Sequence, residues 1–453
     1  MNLQFIGATG TVTGSKYLLS SNPYKILVDC GLFQGLKQLR LRNWSSLPFK
    51  PSEVKSILLT HAHIDHSGYI PLLVKNGFRG KIHCSQGTAE LCKILLPDSG
   101  YLQEEDAYFT NKHGFSKHKP ALPLYTRKDA EDSLKYFHPL DFGHEYELGK
   151  NLSFTLFPAG HILGASMIKV RNGKTTLLFT GDLGRPHDIL MKSPATVEEI
   201  DYLVLESTYG DRLHNPRDPK EELADVINRT SHRGGVTLIP AFAVGRAQAL
   251  LYLIYQLKNE KRIPTIPVFL DSPMARDVTD LYCMFGSEHR LSNAECTLMC
   301  RVAKIINTPE ESKELDFEQV PKIIITASGM ATGGRVVHHL NAFISNEKNT
   351  VLFTGFQAAG TRGEALIHGA EKIKLHGEDR PVRAEIVQED SLSAHADYQE
   401  ILTWLKNFKH APKEVFLIHG EPLQANALCM KIQETYGWNC HIPGYLEKVV
   451  LNS

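Results

Sequence analysis

The sequence predicts an α/β fold for this chain of 453 residues, and two observations carry that prediction. Short apolar, β-branched runs recur from one end to the other and read as buried strands. Stretches with helical spacing lie between some of them. The apolar fraction of 42% and the charged fraction of 22% are ordinary for a globular protein. The length calls for two domains, or for one domain carrying a large insertion.

The strand-like runs at 26–28, 57–59, 177–179, 203–205 and 415–418 share one property. The first leads into Asp29, the second through Thr60 into His61, the third through Thr180 and Gly181 into Asp182, the fourth into Glu206 and the last into His419. Active-site groups of α/β sheets gather at the C-terminal ends of strands. Five ionisable side chains at such ends, drawn from both halves of the sequence, imply that distant segments converge on one site. Residues 207–385 read as an insertion with strands of their own at 236–239, 268–270 and 323–325. The insertion also has a helix, in which Val244, Ala247, Leu250, Leu251, Ile254 and Leu257 share a face. The polar segments 214–219 and 378–382 read as linkers. The expected organisation is therefore a domain begun by 1–206, interrupted by 207–385 and completed by 386–453. There is no repeat at a fixed period and no low-complexity tract.

Lys+Arg and Asp+Glu are equal at 50 each, so any nucleic-acid contact has to come from a local basic groove. The eight cysteines include no Cys-x-x-Cys pair; Cys296 and Cys300 can share a helix face, and the set reads as reduced thiols. The N-terminus lacks the pattern of a signal peptide, and no apolar run is long enough to cross a bilayer. A cytoplasmic location without membrane contact is expected.

The strongest chemical signal is the run His61, Ala62, His63, Ile64, Asp65, His66. On an extended backbone His61 and His63 can face one metal, while Asp65 and His66 turn into a helix start and can face a second. His161 lies among small residues in 158–165, a setting for a ligand or for a satisfied core histidine. Asp182 can bridge two metals or serve its Gly-Asp turn. Asp29 can orient a metal-bound histidine by hydrogen bond.

His-x-His-x-Asp-His followed by a later His and then Asp resembles the metallo-β-lactamase superfamily. Three further motifs, in family order, resemble its β-CASP nuclease branch: Glu206 in 205–209, His395 in 392–397 and His419 in 417–421. The resemblance covers essentially the whole chain. It implies an αββα sandwich with an inserted α/β β-CASP domain. It further implies two Zn2+, one held by His61, His63 and His161, the other by Asp65, His66 and His419, with Asp182 between them. Asp65, Asp182, Glu206 and His395 become the catalytic side chains: a hydroxide between the metals attacks, and His395, poised by Glu206, protonates the leaving ribose oxygen. In this branch a histidine at the last motif goes with RNA and a valine with DNA, so His419 points to RNA, and the inserted domain implies a cleft for a single-stranded substrate. The resemblance leaves endonucleolytic and 5′→3′ exonucleolytic cutting open, and it admits a homodimer and RNA-processing partners.

Within the insertion, Ser328, Gly329, Gly333, Gly334 and Arg335 of the glycine-rich loop 327–335 fit a phosphate-binding turn. Glu364 stands where relatives commonly place arginine, and the nearby Arg362 can substitute. The basic stretch 111–128, with Lys112, Lys117, Lys119, Arg127 and Lys128 interleaved with Phe115 and Tyr125, fits either an RNA-channel wall or a solvated loop. Two other functions fit the same fold: hydrolysis of a small ester or phosphodiester, and a non-catalytic RNA-processing subunit. The three extra motifs oppose the first, and the full set of competent side chains opposes the second.

Overall fold

The computed structural model describes residues 1–114, 118–318, 320–389 and 391–452. The chain forms two compact units, Met1–Leu213 with His395–Ser453, and His214–Ala394. The division falls later than the expected boundaries on both sides. The strand Glu385–Gln388 pairs in parallel with Thr350–Phe353 and so belongs to the sheet of the second unit.

Two seven-stranded sheets build the first unit. One runs in the order Lys448–Val450, Asn2–Phe5, Tyr17–Ser21, Tyr24–Val28, Ser56–Leu58, Lys81–Ser85, Phe137–Leu140. The other runs Cys440–His441, Glu414–Ile418, Tyr202–Glu206, Thr175–Phe179, Ser166–Asn172, Leu152–Pro158, Glu145–Gly149. Side chains alternate along a strand, so every second residue faces the partner sheet. Phe5, Tyr17, Ile26 and Val28 thus meet Phe154, Ile168, Phe179, Val204 and Phe416 in one core. The intervening residues Leu27, Ile57, Leu203 and Val415 are also fully buried, because helices cover the outer faces. The helix Gln86–His113 packs on Lys81–Ser85 and Phe137–Leu140, and Pro422–Tyr436 on Glu414–Ile418. The result is the αββα sandwich.

Strand direction then gathers the chemistry. Tyr24–Val28 and Ser56–Leu58 are parallel, as are Thr175–Phe179, Tyr202–Glu206 and Glu414–Ile418. Parallel neighbours end at the same edge, which carries Asp29, His61, Asp182, Glu206 and His419 to one end of the sandwich.

The second unit is a six-stranded, all-parallel sheet in the order Lys304–Ile305, Val268–Asp271, Lys322–Thr326, Val236–Pro240, Thr350–Phe353, Glu385–Gln388. Val336, Leu340 and Phe343 of the helix Arg335–Phe343 pack on Val236, Ile324 and Val351. The helix Arg246–Asn259 buries Ala247, Leu250, Leu251, Ile254 and Leu257 as its spacing predicts, whereas Val244 lies in the turn before its first residue. The linker expected at 378–382 is not a linker. Glu378–Pro381 pairs antiparallel with Lys372–Leu375, a hairpin whose Ile373 and Leu375 join the core.

Candidate metal centre and catalytic site

The turn that follows Ser56–Leu58 delivers His61 and His63, and the one-turn helix Ile64–Ser67 delivers Asp65 and His66. Three backbone hydrogen bonds clamp this turn: Ser15 N donates to Asp65 O, Cys30 N to His66 O and Leu32 N to Ile64 O. The segment 29–32 that follows Tyr24–Val28 comes so close that a Cβ on Gly31 would lie 1.6 Å from Asp65 O. A glycine is required there by proximity alone. Gly164 does the same for the turn carrying His161, where a Cβ would lie 2.1 Å from Thr88 N.

Two groups of donors result. His61, His63, His161 and Asp182 form one, with His61 Nε2 and His161 Nε2 3.3 and 3.5 Å from Asp182 Oδ2, and 3.2 and 3.3 Å from His63 Nδ1. Asp65, His66 and His419 form the other, with His419 Nε2 3.2 Å from His66 Nε2 and 3.4 Å from Asp65 Oδ2. Asp182 faces both, because its Oδ1 lies 3.3 Å from His66 Nε2 and 3.5 Å from His419 Nδ1. The seven residues singled out as metal-competent therefore lie together.

The protonation pattern fits a cation among them. His66 Nδ1 lies 2.7 Å from Asp29 Oδ2; burial pulls this ring down, but Asp182 and Asp29 outweigh it and raise it well above the ordinary histidine value, so positive charge is favoured between the two carboxylates. Asp29 is itself held by Thr60 N and Thr60 Oγ1 at 2.8 and 2.9 Å. Burial pushes His61 down to about 3, His63 down to about 4 and His161 well below the ordinary histidine value, so these rings are neutral donors. Burial opposes ionisation of Asp182, but His419 and His66 outweigh it and hold the carboxyl well below its usual range. Asp182 Oδ1 is buried and, among the described residues, accepts no hydrogen bond. Buried carboxylates facing these rings favour a positive charge among them, whether a proton or a metal ion. Neutral imidazoles with carboxylates are the donors that suit a divalent zinc-like ion.

Beside these groups, His395 Nδ1 lies 3.1 Å from both oxygens of Glu206. Glu206 is fully buried at its strand end and accepts from Leu183 N at 2.6 Å. Burial pulls His395 down, but Glu206 and then Asp182 outweigh it and raise the imidazole to about 9. The backbone at His395 bridges to Gly184, and its ring centroid is 4.5 Å from that of His161. A protonated, oriented imidazole next to a metal-competent cluster can donate a proton to a leaving group.

Thr60 and Thr208 escaped the sequence reading. Thr60 Oγ1 lies 3.1 Å from His61 Nδ1, and Thr208 Oγ1 3.1 Å from His419 Nδ1. Their signal is only that a hydroxyl residue sits one position before His61 and two after Glu206.

In the second unit, the loop 327–335 joins Lys322–Thr326 to the helix Arg335–Phe343. Ser328 Oγ lies 3.1 Å from Thr332 Oγ1, Gly329 packs so tightly on Phe242 that a Cβ would lie 2.7 Å from its ring, and Gly334 has φ 76°. A Cβ on Gly333 would meet nothing within 4 Å. Arg335 departs from expectation. Its guanidinium donates to Asp271 Oδ1 at 2.5 Å and to the carbonyls of Ile306 and Asn307, so it fixes the loop rather than presenting charge to an anion. Arg362 likewise donates to the carbonyls of Ala331 and Thr332.

The basic stretch is less available than its sequence suggests. Tyr125 is fully buried on Ser99 Oγ, and Arg127 and Lys128 pair with Glu131 and Asp132. Phe115 and Lys117 lie outside the described residues.

Comparison with known proteins agrees with this geometry. Three family models match: the metallo-beta-lactamase superfamily over residues 10–229, the Beta-Casp domain over 247–366, and the Zn-dependent metallo-hydrolase RNA specificity domain over 379–443. A ribonuclease of Thermus thermophilus is 34% identical over 94% of this chain and 95% of its own length. The transcription termination factor FttA of Methanocaldococcus jannaschii is 27% identical over 99% of this chain and 71% of its own. A solved structure of a protein of unknown function from Enterococcus faecalis V583 shares the fold, with a TM-score of 0.55 at 14% identity over 99% of both chains. The chain belongs to the metallo-β-lactamase superfamily, in its β-CASP ribonuclease branch.

Proposed function

We propose that this protein is a zinc-dependent ribonuclease that hydrolyses phosphodiester bonds of single-stranded RNA. The observation that carries the reading is two buried donor groups sharing Asp182, with the His395–Glu206 pair beside them. The ribonuclease relative, similar over nearly the whole chain, supports the substrate class. His61, His63 and His161 would hold one zinc and Asp65, His66 and His419 the other, with Asp182 common to both. When bound, two zinc ions supply positive charge against the phosphoryl oxygens and make water acidic enough to lose a proton near neutral pH. Asp29 orients His66, and Thr60 and Thr208 orient His61 and His419. His395 donates the proton that the leaving ribose oxygen needs, and Glu206 holds the imidazole protonated and aimed. In the second unit, Ser328, Gly329, Gly333 and Gly334 offer a loop for phosphate contact, with Arg335 as its anchor. A cytoplasmic location is part of this reading; among the described residues no helix is long and apolar enough to cross a membrane. The β-CASP domain, expected at 207–385, corresponds to the compact unit His214–Ala394 inserted in the two-part metallo-β-lactamase domain.

The test is zinc-loaded protein incubated with one RNA labelled at either end and with DNA of the same sequence. Metal-dependent cutting of RNA alone is expected, and the ladder separates internal cutting from 5′→3′ trimming. His395→Ala is expected to keep its zinc and lose about 10²–10⁴-fold in cleavage rate. Zinc-loaded protein that cuts neither polymer would overturn the reading in favour of a small ester or a non-catalytic role.

A further inference from the structure

The second unit carries a group of thiols that the proposed chemistry does not use. Cys283 stands at the C-terminal end of the helix Pro273–Met284 and is exposed, with the adjacent Met284 72% exposed. Cys300 stands in the last turn of the helix Asn293–Arg301 and is half-buried. Their Sγ atoms are 3.6 Å apart although the residues are 17 positions apart in sequence. The connection between the two helices is already ordered. His289 Nε2 lies 2.7 Å from Tyr282 O, and Leu291 N donates to His289 Nδ1 at 3.1 Å.

We propose that Cys283 and Cys300 are a reversible disulfide site, oxidised by small-molecule disulfides of the glutathione class. An Sγ–Sγ separation of 3.6 Å is van der Waals contact, the starting point from which an S–S bond of about 2.05 Å can close. Exposed Cys283 is the point of entry. Burial pushes the Cys300 and Cys296 thiols up to about 12, so neither begins the exchange, and Cys300 reacts second, as the resolving thiol already 3.6 Å from Cys283 Sγ. Cys283 loses its proton and attacks one sulfur of the small disulfide, whose S–S bond breaks and releases one thiol. The Cys300 sulfur, losing its proton in turn, attacks Cys283 Sγ and releases the second. Two protein thiols are oxidised by two electrons, and one small disulfide is reduced to two thiols. The product clips together the ends of two helices. The first of these is capped by Ser272, the residue after Asp271, whose carboxylate holds Arg335.

The full-length protein is incubated across a range of oxidised-to-reduced glutathione ratios, quenched in acid, alkylated and digested for mass spectrometry. Two of the eight thiols are expected to become protected together. A peptide containing Cys283 should be cross-linked to one containing Cys300, and dithiothreitol should reverse the bond. Cys296→Ser should keep the cross-link, and both Cys283→Ser and Cys300→Ser should lose it. Protection of Cys283 alone as a mixed disulfide, a cross-link to Cys296, or eight reactive thiols across the whole range would each overturn the proposal.

Discussion

Asp29 and His339 show how a single side chain acts at a distance from the reacting atoms. Asp29 carries three hydrogen bonds from Thr60 and His66 and fixes the orientation of the His66 ring. Asp29→Asn keeps the shape but removes the charge that orients the ring. Zinc affinity is expected to fall about 10–100-fold, read by chelator competition; unchanged affinity would remove Asp29 from the site. His339 lies buried in the second unit between Asp271 Oδ2 at 2.7 Å and Asp316 Oδ1 at 2.6 Å, with Arg335 on the other oxygen of Asp271. Burial pulls its pKa down, but the hydrogen bonds to Asp271 and Asp316 outweigh it and raise the value above 6.5. A histidine raised on folding stabilises most where both states are protonated. Its contribution is full below pH 6.5 and is lost as pH rises through the higher folded value. Thermal melts from pH 6 upward should therefore slope down more steeply for the wild type than for His339→Gln, and parallel curves would show that His339 contributes no such term.

At the scale of elements, a glycine can decide whether a loop forms. Gly31→Ala would drive a Cβ into Asp65 O, and the clamp on the His63–His66 turn would have to open. A loss of about 1–3 kcal/mol in stability is expected, together with weakened metal binding. Gly333→Ala, where the added atom meets nothing within 4 Å, should melt close to the wild type. The same scale shows what the sequence could disclose. Strands 26–28 and 415–418 were legible because their apolar runs end in an ionisable residue, and the parallel pairing of their neighbours turned those ends into one site. The hairpin Lys372–Leu375 with Glu378–Pro381 was not legible. Its second strand is Glu-Asp-Arg-Pro, and only Ile373 and Leu375 of the first reach the core. Arg335 was read as an anion contact because its partner Asp271 lies 64 residues away, where no local pattern links them. The metal-competent residues were legible as a spacing, while the orienting hydroxyls of Thr60 and Thr208 leave no trace that distinguishes them from ordinary polar neighbours.

At the scale of the molecule, the first unit is closed by residues from both ends of the chain. Glu414–Ile418 lies against Tyr202–Glu206, and Lys448–Val450 lies against Asn2–Phe5, so each sheet is completed by the last part of the sequence. A chain ended at Ala394 loses strands from both sheets together with His395 and His419. It is expected to expose the apolar core, bind no zinc tightly and aggregate on expression. A soluble, zinc-binding fragment would show that the first part of the unit folds alone.

His66 and His419, whose ring nitrogens meet at 3.2 Å, are 353 positions apart in the sequence. A ribosome making this chain passes through the whole second unit before it adds either the proposed acid or the last proposed ligand. Until residue 419 emerges, the growing polypeptide holds an incomplete cutting centre. An enzyme of the proposed kind is thus born inert beside the very transcript that encodes it.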